Sequence, residues 1–283
     1  NITHGSGGIA LYGSSNNQLR NNNMTGNNYN FRVSGTTISD FLNDVDASNT
    51  VDDKPVYYWI NRQDTTVTGD PGCVILVNCT RMVVQELNLS RNWNGVLLAF
   101  TGNSTITKNT IRSNSDGVGL TSSSNNSVSD NNLTDNGIGI RLEGSSNFNN
   151  ISRNMIQPYE GIFLSGSSYN NIFNNSILGH GMMKLYLRAF SNNNCISGNT
   201  LVNGWGGIYL AECSGNVAYH NNFVNNTTPA HCYNSVNSWD DGYPSGGNYW
   251  YNYNGTDLFS GPYQNETGSD GMGDTPYIID PNN

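Results

Sequence analysis

Charged residues are scarce in this chain of 283 residues: they make up 12% of it, and the net charge is −9. Lys and Arg number 12 and form no block, so the sequence predicts neither a nucleic-acid partner nor attraction to an anionic membrane surface. No apolar run reaches 18 residues, so no segment is predicted to span a bilayer. No run has the 3.6-residue period of an amphipathic helix, which argues against a helical protein.

What the sequence does contain is a unit of about 22 residues that recurs along the chain. Each unit opens with a short apolar segment whose second and fourth residues should face the same way. The segments are Gly8-Ile-Ala-Leu, Asn30-Phe-Arg-Val, Cys73-Val-Ile-Leu, Gly95-Val-Leu-Leu, Gly117-Val-Gly-Leu, Gly139-Ile-Arg-Leu, Gly161-Ile-Phe-Leu, Lys184-Leu-Tyr-Leu and Gly207-Ile-Tyr-Leu. Fixed spacing is typical of repeat proteins, whose units bury their apolar faces only against neighbouring units.

A second apolar ladder lies about 16 residues into each unit. Its members are Met24, Leu89, Ile111, Leu133, Met155, Ile177, Leu201 and Phe223. Short alternating segments joined by Gly, Asn and Ser corners are typical of strands. The sequence therefore predicts an all-β fold, a single-stranded right-handed parallel β-helix with an irregular, aromatic-rich C-terminal cap.

Asparagine recurs two residues before this second ladder, at Asn22, Asn109, Asn131, Asn175, Asn199 and Asn221. Asn tolerates left-handed corners, and its amide can bond to the same residue of the next coil. We interpret these residues as a structural ladder rather than as a row of ligands.

Three regions follow from where the repeat holds and where it fails. Residues 1–227 are predicted to form the β-helix, and the acidic segment 36–55 is predicted to be a surface excursion from it. Residues 228–283 lack the period and are rich in Trp and Tyr, which can bury large areas with little secondary structure. They are predicted to form the cap.

Five cysteines and many glycosylation sequons suggest covalent modification. Cys73 can pair with Cys79, and Cys213 can pair with Cys232, which leaves Cys195 over. Asn-x-Ser/Thr sequons are predicted glycosylation sites. Beyond the first residue they lie at Asn23, Asn78, Asn88, Asn103, Asn125, Asn132, Asn150, Asn174, Asn225, Asn226, Asn254 and Asn265.

Two segments outside the repeat carry a family resemblance. One runs from Asn49 to Asn61, and the other joins Gly246-Gly-Asn-Tyr-Trp250 to Ser269-Asp-Gly-Met-Gly-Asp-Thr-Pro-Tyr-Ile-Ile-Asp280. Together with the repeat, they resemble NosD-like proteins. The resemblance implies a right-handed β-helix of the periplasmic copper-protein and carbohydrate-associated type, and an archaeal secreted or cell-surface location.

Metal binding is predicted in the tail rather than at a copper site. Asp270 and Asp274 alternate with glycines, and Asp257 and Glu266 lie nearby in sequence, which suits a structural Ca²⁺ ion. Copper is not expected, because the pair His231-Cys232 has no obvious third ligand. The methionines Met24 and Met155 are assigned to the core.

One surface is predicted to contact a ligand or partner, and no catalytic site is predicted. The segment Gly179-His180-Gly181 resembles a galacturonase tripeptide, but the sequence shows no matching Asp pair. Outward aromatic residues on neighbouring coils predict a sugar platform or a protein contact. These residues are Tyr159, Phe163, His180, Tyr186, Trp205 and Tyr209.

Two functions follow from the sequence. The first is a non-enzymatic extracellular structural protein of an archaeal cell surface, which associates with itself, head to tail or laterally, into a filament, sheath or layer. The alternative is a carbohydrate-binding or polysaccharide-modifying β-helix that uses the aromatic surface.

Overall fold

The computed structural model describes residues 1–279, and the last four residues of the predicted cap lie outside the described residues. Within this range the chain forms short strands and one short 3₁₀ helix, Ile38–Phe41. Among residues 1–279, no helix has the length and apolar character needed to cross a bilayer.

The strands of the first half are β1 (Ile2–Thr3), β2 (Gly7–Tyr12), β3 (Gln18–Leu19), β4 (Asn23–Thr25), β5 (Tyr29–Ser34), β6 (Asp44–Val45), β7 (Thr50–Val51), β8 (Lys54–Ile60), β9 (Thr66–Val67), β10 (Cys73–Val77), β11 (Val83–Gln85), β12 (Asn88–Ser90), β13 (Asn94–Ala99), β14 (Thr105–Thr107), β15 (Thr110–Arg112), β16 (Asp116–Thr121), β17 (Ser127–Ser129) and β18 (Asn132–Thr134).

Those of the second half are β19 (Ile138–Glu143), β20 (Asn150–Ser152), β21 (Met155–Gln157), β22 (Glu160–Ser165), β23 (Asn171–Phe173), β24 (Ser176–Ile177), β25 (Met183–Arg188), β26 (Cys195–Ser197), β27 (Thr200–Val202), β28 (Gly206–Ala211), β29 (Val217–Tyr219), β30 (Asn222–Val224), β31 (Thr228–Tyr233), β32 (Tyr249–Trp250), β33 (Phe259–Ser260) and β34 (Glu266–Thr267).

From β10 to β31, every third strand stacks in parallel on its equivalent in the next coil, so the chain winds into a β-helix with three faces. The apolar segments of the repeat form the face that we call the main sheet, in the order β8-β10-β13-β16-β19-β22-β25-β28-β31. Their second and fourth residues stack inside the coil, as Val96 does on Val118 and Leu98 does on Leu120. The predicted fold is confirmed.

The asparagine ladder lies at a buried corner and satisfies the backbone there. Asn131 donates from Nδ2 to the carbonyl of Ile106 at 3.0 Å and to Oδ1 of Asn154 at 3.0 Å. Its own Oδ1 accepts from the backbone N–H of Asn109 at 3.0 Å. The Asn131 amide thus bonds to the preceding and to the following coil, as predicted for the ladder.

One member of the second apolar ladder was predicted wrongly. Leu133 stacks on Ile156 rather than on Met155, which is exposed. The step between these coils is 23 residues because the corner after β19 is one residue longer: Ser123 is followed in its row by Ser146. The correct register also adds Asn154 to the asparagine ladder.

The first 51 residues form a separate small coil, which we call the N-terminal module. In it, β4 lies between β1 and β7, β5 stacks on β2, and β6 stacks on β3, all in parallel. Strand β7 then turns back antiparallel to β8, where the main sheet begins. The predicted surface excursion 36–55 is therefore wrong, because β6 and β7 continue this coil and bury Phe41, Val45 and Val51.

The interior of the N-terminal module opens onto the outer face of the main sheet. Its apolar side chains and the outward side chains of β8, β10 and β13 form one hydrophobic cluster, which includes Phe31, Val33, Phe41, Tyr58, Cys73, Ile75, Val77, Leu97 and Ala99. Backbone bonds also join the two bodies, from Asn30 N–H to Arg91 O at 2.7 Å and from Trp93 N–H to Phe31 O at 3.1 Å. The module thus covers the first coils of that face.

At the other end, the coil continues beyond residue 227. Strand β31 stacks on β28, and β32 stacks on β30. The Trp250 ring lies 4.4 Å from Phe223 on one side and 4.2 Å from Tyr277 on the other, nearly parallel to both. This aromatic stack covers part of the open end of the core.

Candidate functional site

The outer face of the main sheet changes character at the edge of the N-terminal module. Its central outward row begins with the covered Ile75 and Leu97 and then runs through six further residues in register. These are Gly119, Arg141, Phe163, Tyr186, Tyr209 and His231. The row therefore changes from apolar, through charged, to aromatic as it leaves the module.

The charged part of this face centres on an ion pair. Arg141 Nε donates to Asp116 Oδ2 at 2.7 Å, and Arg141 Nη2 donates to Asp116 Oδ1 at 3.2 Å. The Asp116 side chain is only 2% exposed. Burial raises the pKa of Asp116, and the hydrogen bonds from Arg141 oppose that rise. A buried ion pair is weak evidence for a stabilising role, so its place on an outer face suggests a function.

A second carboxyl group lies in the same row as Asp116. Asp116 stands beside Ile138, and Ile138 stands beside Glu160, so the two acids are two strands apart. At about 4.8 Å per strand, their backbones are roughly 10 Å apart. Glu160 accepts no side-chain hydrogen bond from any described residue, and burial raises its pKa while Arg141 lowers it.

Aromatic rings form the wall of this face on the module side. The Arg32 guanidinium lies over the rings of Trp93 and Tyr12, at 3.4 and 4.0 Å from their centres. Tyr29 packs edge-on against Trp93 at 5.7 Å. Beside this wall, at the corner leading into the main sheet, is a cleft of about 720 Å³ lined by residues that include Arg91, Asp135 and Tyr159. We call the outer face between this aromatic wall and His231 the groove.

The structure brings together three of the six predicted surface residues. Phe163, Tyr186 and Tyr209 are consecutive on the outer face, with ring centres 5.4 and 5.2 Å apart and edge-to-face packing. Phe163 is nevertheless only 9% exposed, because Arg141 and Arg188 lie over its ring. Tyr159, His180 and Trp205 are exposed in the segments that lead into β22, β25 and β28.

Sequence reasoning missed Asp116, Arg141, Glu160 and the contribution of Arg32. A signal for the two acids was present: each directly precedes the glycine that opens its unit, in Asp116-Gly117 and Glu160-Gly161. Equal positions in units two repeats apart must lie in one row of a β-helix. Arg32 left no such signal, since the repeat does not determine how the module packs.

The predicted disulfide bonds do not form among residues 1–279, where Cys73, Cys79 and Cys213 are all free thiols. Cys73 points to the outer face, whereas Cys79 lies in the core inside the coil, so the wall of the β-helix separates them. Cys213 instead approaches the hydroxyl of Ser235 at 3.9 Å. Burial raises the pKa of Cys73 to about 12 and that of Cys213 to about 11.

Many predicted glycosylation sites lie at exposed corners of the coil. Five sequon asparagines are exposed and have left-handed backbones with φ between 50 and 60°: Asn78, Asn103, Asn125, Asn174 and Asn225. Asn23, Asn132 and Asn226 are half-buried. Glycosylation itself stays a prediction.

Two of the predicted calcium ligands, Asp257 and Asp274, accept hydrogen bonds from groups of the protein. Asp257 accepts hydrogen bonds from Ser269 Oγ at 2.7 Å and from the Gly271 N–H at 3.0 Å. Asp274 accepts from the N–H groups of Leu258 and Phe259, at 2.9 and 3.0 Å. These bonds fix the loop between Asp257 and Asp274. Calcium binding stays a prediction.

Among residues 1–279, no three side chains of His, Cys, Asp or Glu converge in a way that could hold a metal ion. His231 stacks against Tyr209 with ring centres 4.7 Å apart, as part of the outer aromatic row. Cys73 and Cys213 are buried thiols with raised pKa values, which disfavours the thiolate that binds copper. Within residues 1–279, these His, Cys, Asp and Glu donors therefore do not fit a copper site.

Solved β-helix structures resemble this one. Against DFA-IIIase from Arthrobacter chlorophenolicus A6 without its lid, the TM-score is 0.50 at 14% identity, over 83% of this chain and 64% of that one. A cysteine-to-alanine mutant of the same enzyme in complex with DFA-III gives 0.47 at 15% identity, over 82% and 57%. This chain thus spans less than two thirds of those proteins, and at such identities the likeness shows the fold alone.

A comparison with curated proteins found no match. A family model did match, over residues 48–205 and again over 158–255, and its description is "Periplasmic copper-binding protein (NosD)". The two overlapping matches cover most of the main β-helix and extend through β32. This chain belongs to the NosD family.

Proposed function

We propose that this protein binds carbohydrate chains along the outer face of its main sheet. The observation that carries this proposal is the row Tyr186, Tyr209 and His231, whose rings are half-buried and follow one another on consecutive strands. Aromatic side chains with one apolar face and a polar end suit the mixed surface of a sugar ring. The charged residues beside the row supply the hydrogen bonds that fix orientation.

The outward alternation of a β-helix supports a linear ligand. Equivalent residues repeat every strand, about 4.8 Å apart, so the face offers a regular row of sites along the axis. The N-terminal module closes one end of this face and leaves Tyr209 and His231 at the other. A polymer entering from the aromatic end would meet Arg141 and Glu160 before the module.

Affinity gel electrophoresis against a panel of polysaccharides tests the proposal. The Tyr186→Ala and Tyr209→Ala variants should each lose most of the retardation seen with the unmodified protein. Tyr263, which is 85% exposed in the C-terminal region, provides a control, and Tyr263→Ala should be retarded normally. The proposal fails if no polysaccharide retards the protein, or if all three variants behave alike.

Hydrolysis of the bound glycan is a second candidate, favoured by the row of Asp116 and Glu160. Inverting glycosidases hold two carboxyl groups about 6.5–9.5 Å apart, one as acid and one as base. Glu160, with its raised pKa, suits the acid. Asp116 would be the base, but it is 2% exposed and bound by Arg141, so hydrolysis ranks behind binding. Glu160→Gln should abolish any release of reducing ends while binding persists.

The site and the family suggest a protein that works outside the cytoplasm. The family description is periplasmic, and a secreted or cell-surface location would give this face access to polysaccharide. Self-association into a filament, sheath or layer stays a separate prediction. Size-exclusion chromatography with negative-stain microscopy tests it: filaments support it, and a monodisperse monomer contradicts it.

A further inference from the structure

The N-terminal module contributes one charged side chain to the groove, and that side chain is unusually well held. The guanidinium of Arg32 is in contact with two aromatic rings, 3.4 Å from the centre of Trp93 and 4.0 Å from that of Tyr12. Such stacking uses the flat faces of the group and leaves its edges for hydrogen bonds. The orientation of Arg32 is therefore fixed before any ligand arrives.

Arg32 makes no ion pair with any described residue. Asp116 and Glu143 are near enough to affect its pKa, which burial lowers. Asp116, however, is engaged by both hydrogen bonds from Arg141, and Glu143 accepts from Thr121 at 3.3 Å. The buried Nε of Arg32 has no hydrogen-bond partner among these residues.

Arg188 lies on the same face, and it too has no carboxylate partner in the described part of the chain. Arg188 is exposed at the end of β25, and its guanidinium lies 5.7 Å from the Phe163 ring. Of the exposed arginines elsewhere, Arg81 pairs with Asp64 and Arg153 pairs with Asp130 at 2.8 Å. Arg62 and Arg112, which lie outside this face, make no ion pair with a described residue either. In a chain of net charge −9, the outer face thus carries Arg32 on the module side of the Arg141–Asp116 pair and Arg188 two strands further along the sheet. Glu143 and Glu160 are the other acids of this face.

From this arrangement we infer that the glycan bound here is acidic, and that Arg32 and Arg188 bind carboxylate groups on its sugar rings. The inference rests on the proposed carbohydrate-binding function and names its ligand class. A guanidinium with a fixed plane presents two parallel N–H groups, which match a carboxylate in a bidentate contact. The aromatic row holds the rings, and the two arginines select for their charge.

Binding to polygalacturonate, alginate, dextran sulfate and dextran separates carboxylated, sulfated and neutral ligands. We expect retention on the two polyuronates, weak retention on neutral dextran, and a fall in affinity as salt is raised. Arg32→Gln and Arg188→Gln should each weaken polyuronate binding roughly tenfold, the cost of one charge-assisted contact. Arg153→Gln, on an exposed pair away from this face, should bind within about twofold of the unmodified protein.

These binding results distinguish a failure of the acidic-glycan inference from a failure of the proposed carbohydrate-binding function. If dextran binds as tightly as polyuronate and both glutamine variants are unaffected, the ligand is neutral, and only the inference fails. If dextran sulfate, which carries sulfate but no carboxylate, is the one polymer retained, the carboxylate assignment is wrong. If no polysaccharide binds, the proposed function itself fails. If Arg32→Gln lowers the melting temperature, the result for Arg188→Gln decides, because Arg188 is exposed and contacts a single ring, that of Phe163, at 5.7 Å.

Discussion

Arg141 reaches across to the preceding coil and binds both carboxylate oxygens of Asp116, at 2.7 and 3.2 Å. The two residues belong to adjacent strands, β19 and β16, but occupy different outward rows of the main sheet. The pair therefore bridges the row that carries Glu160 and the row that carries the aromatic side chains. It links the charged part of the groove to the aromatic part.

Removing one partner of this pair should be costly, because it leaves a buried charge uncompensated. We expect Arg141→Met to lower the free energy of unfolding by about 3–5 kcal/mol. Arg153→Met, which breaks the exposed pair with Asp130, should cost less than about 1 kcal/mol. Chemical denaturation followed by tryptophan fluorescence measures both. The double variant Asp116→Leu/Arg141→Met should recover part of the loss; equal losses for Arg141→Met and Arg153→Met would contradict this account.

The asparagine ladder should contribute to stability at every coil. Asn175 Nδ2 donates to the Ile151 carbonyl at 2.9 Å, and its Oδ1 accepts from the Asn154 N–H at 3.0 Å. Asn175→Ala leaves both buried backbone groups unpaired, at about 1–3 kcal/mol each. Asn171→Ala, at an exposed position four residues earlier, should change stability by less than about 0.5 kcal/mol. Urea unfolding of the two variants compares them, and similar midpoints would count against a ladder role.

The glycine that opens most units should resist substitution because another coil lies directly against it. A Cβ on Gly161 would lie 2.1 Å from the Lys184 carbonyl and 2.7 Å from Ile177 Cγ2. Gly161→Ala should therefore destabilise the protein by roughly 1–3 kcal/mol or more. At Gly7 the nearest atom would be 3.8 Å away, so Gly7→Ala should change stability by less than about 1 kcal/mol. Thermal melts of both variants test this, and a neutral Gly161→Ala would refute it.

The repeat could be read from the sequence because stacking places equal positions one above another. Val118 stacks on Ile140 and Leu120 stacks on Leu142, so apolar character must recur at one spacing. The reading failed where a corner changed length. Met155 and Ile156 are both apolar, and composition alone cannot tell which of them faces inward after a 23-residue step.

The candidate site could be predicted only in its repetitive part. Tyr186 and Tyr209 followed from the outward position of their units, and the structure places them together. The groove also depends on Arg32, which reaches Trp93 only because the N-terminal module packs on the main sheet. One sign of that packing was available: Ile75 and Leu97 are apolar at outward positions, which indicates that something covers them.

Calcium at the C-terminal loop can be tested by chelation. If an ion joins Asp257 and Asp270, EDTA should lower the melting temperature of the intact protein, since a ligand that binds only the folded state stabilises it. Asp257→Asn should remove the effect of EDTA. An unchanged melting temperature would contradict calcium binding and leave the hydrogen bonds of Asp257 to Ser269 and Gly271 as its role.

The same loop should loosen at acidic pH because of Asp274. Hydrogen bonds from the Leu258 N–H, the Phe259 N–H and Thr256 Oγ1 lower the pKa of this carboxyl below its ordinary value. A group whose folded pKa is lowered stabilises the folded state above its unfolded pKa, about 3.9, and loses that effect as the pH falls through the folded value. Hydrogen exchange should therefore show the amides of Leu258 and Phe259 protected at pH 6 and unprotected well below pH 4. The Asp274→Asn variant has no carboxyl group to titrate at this position, so the protection of the Leu258 and Phe259 amides should not be lost through this titration. If the variant loses protection over the same pH range as the unmodified protein, another group causes the loss.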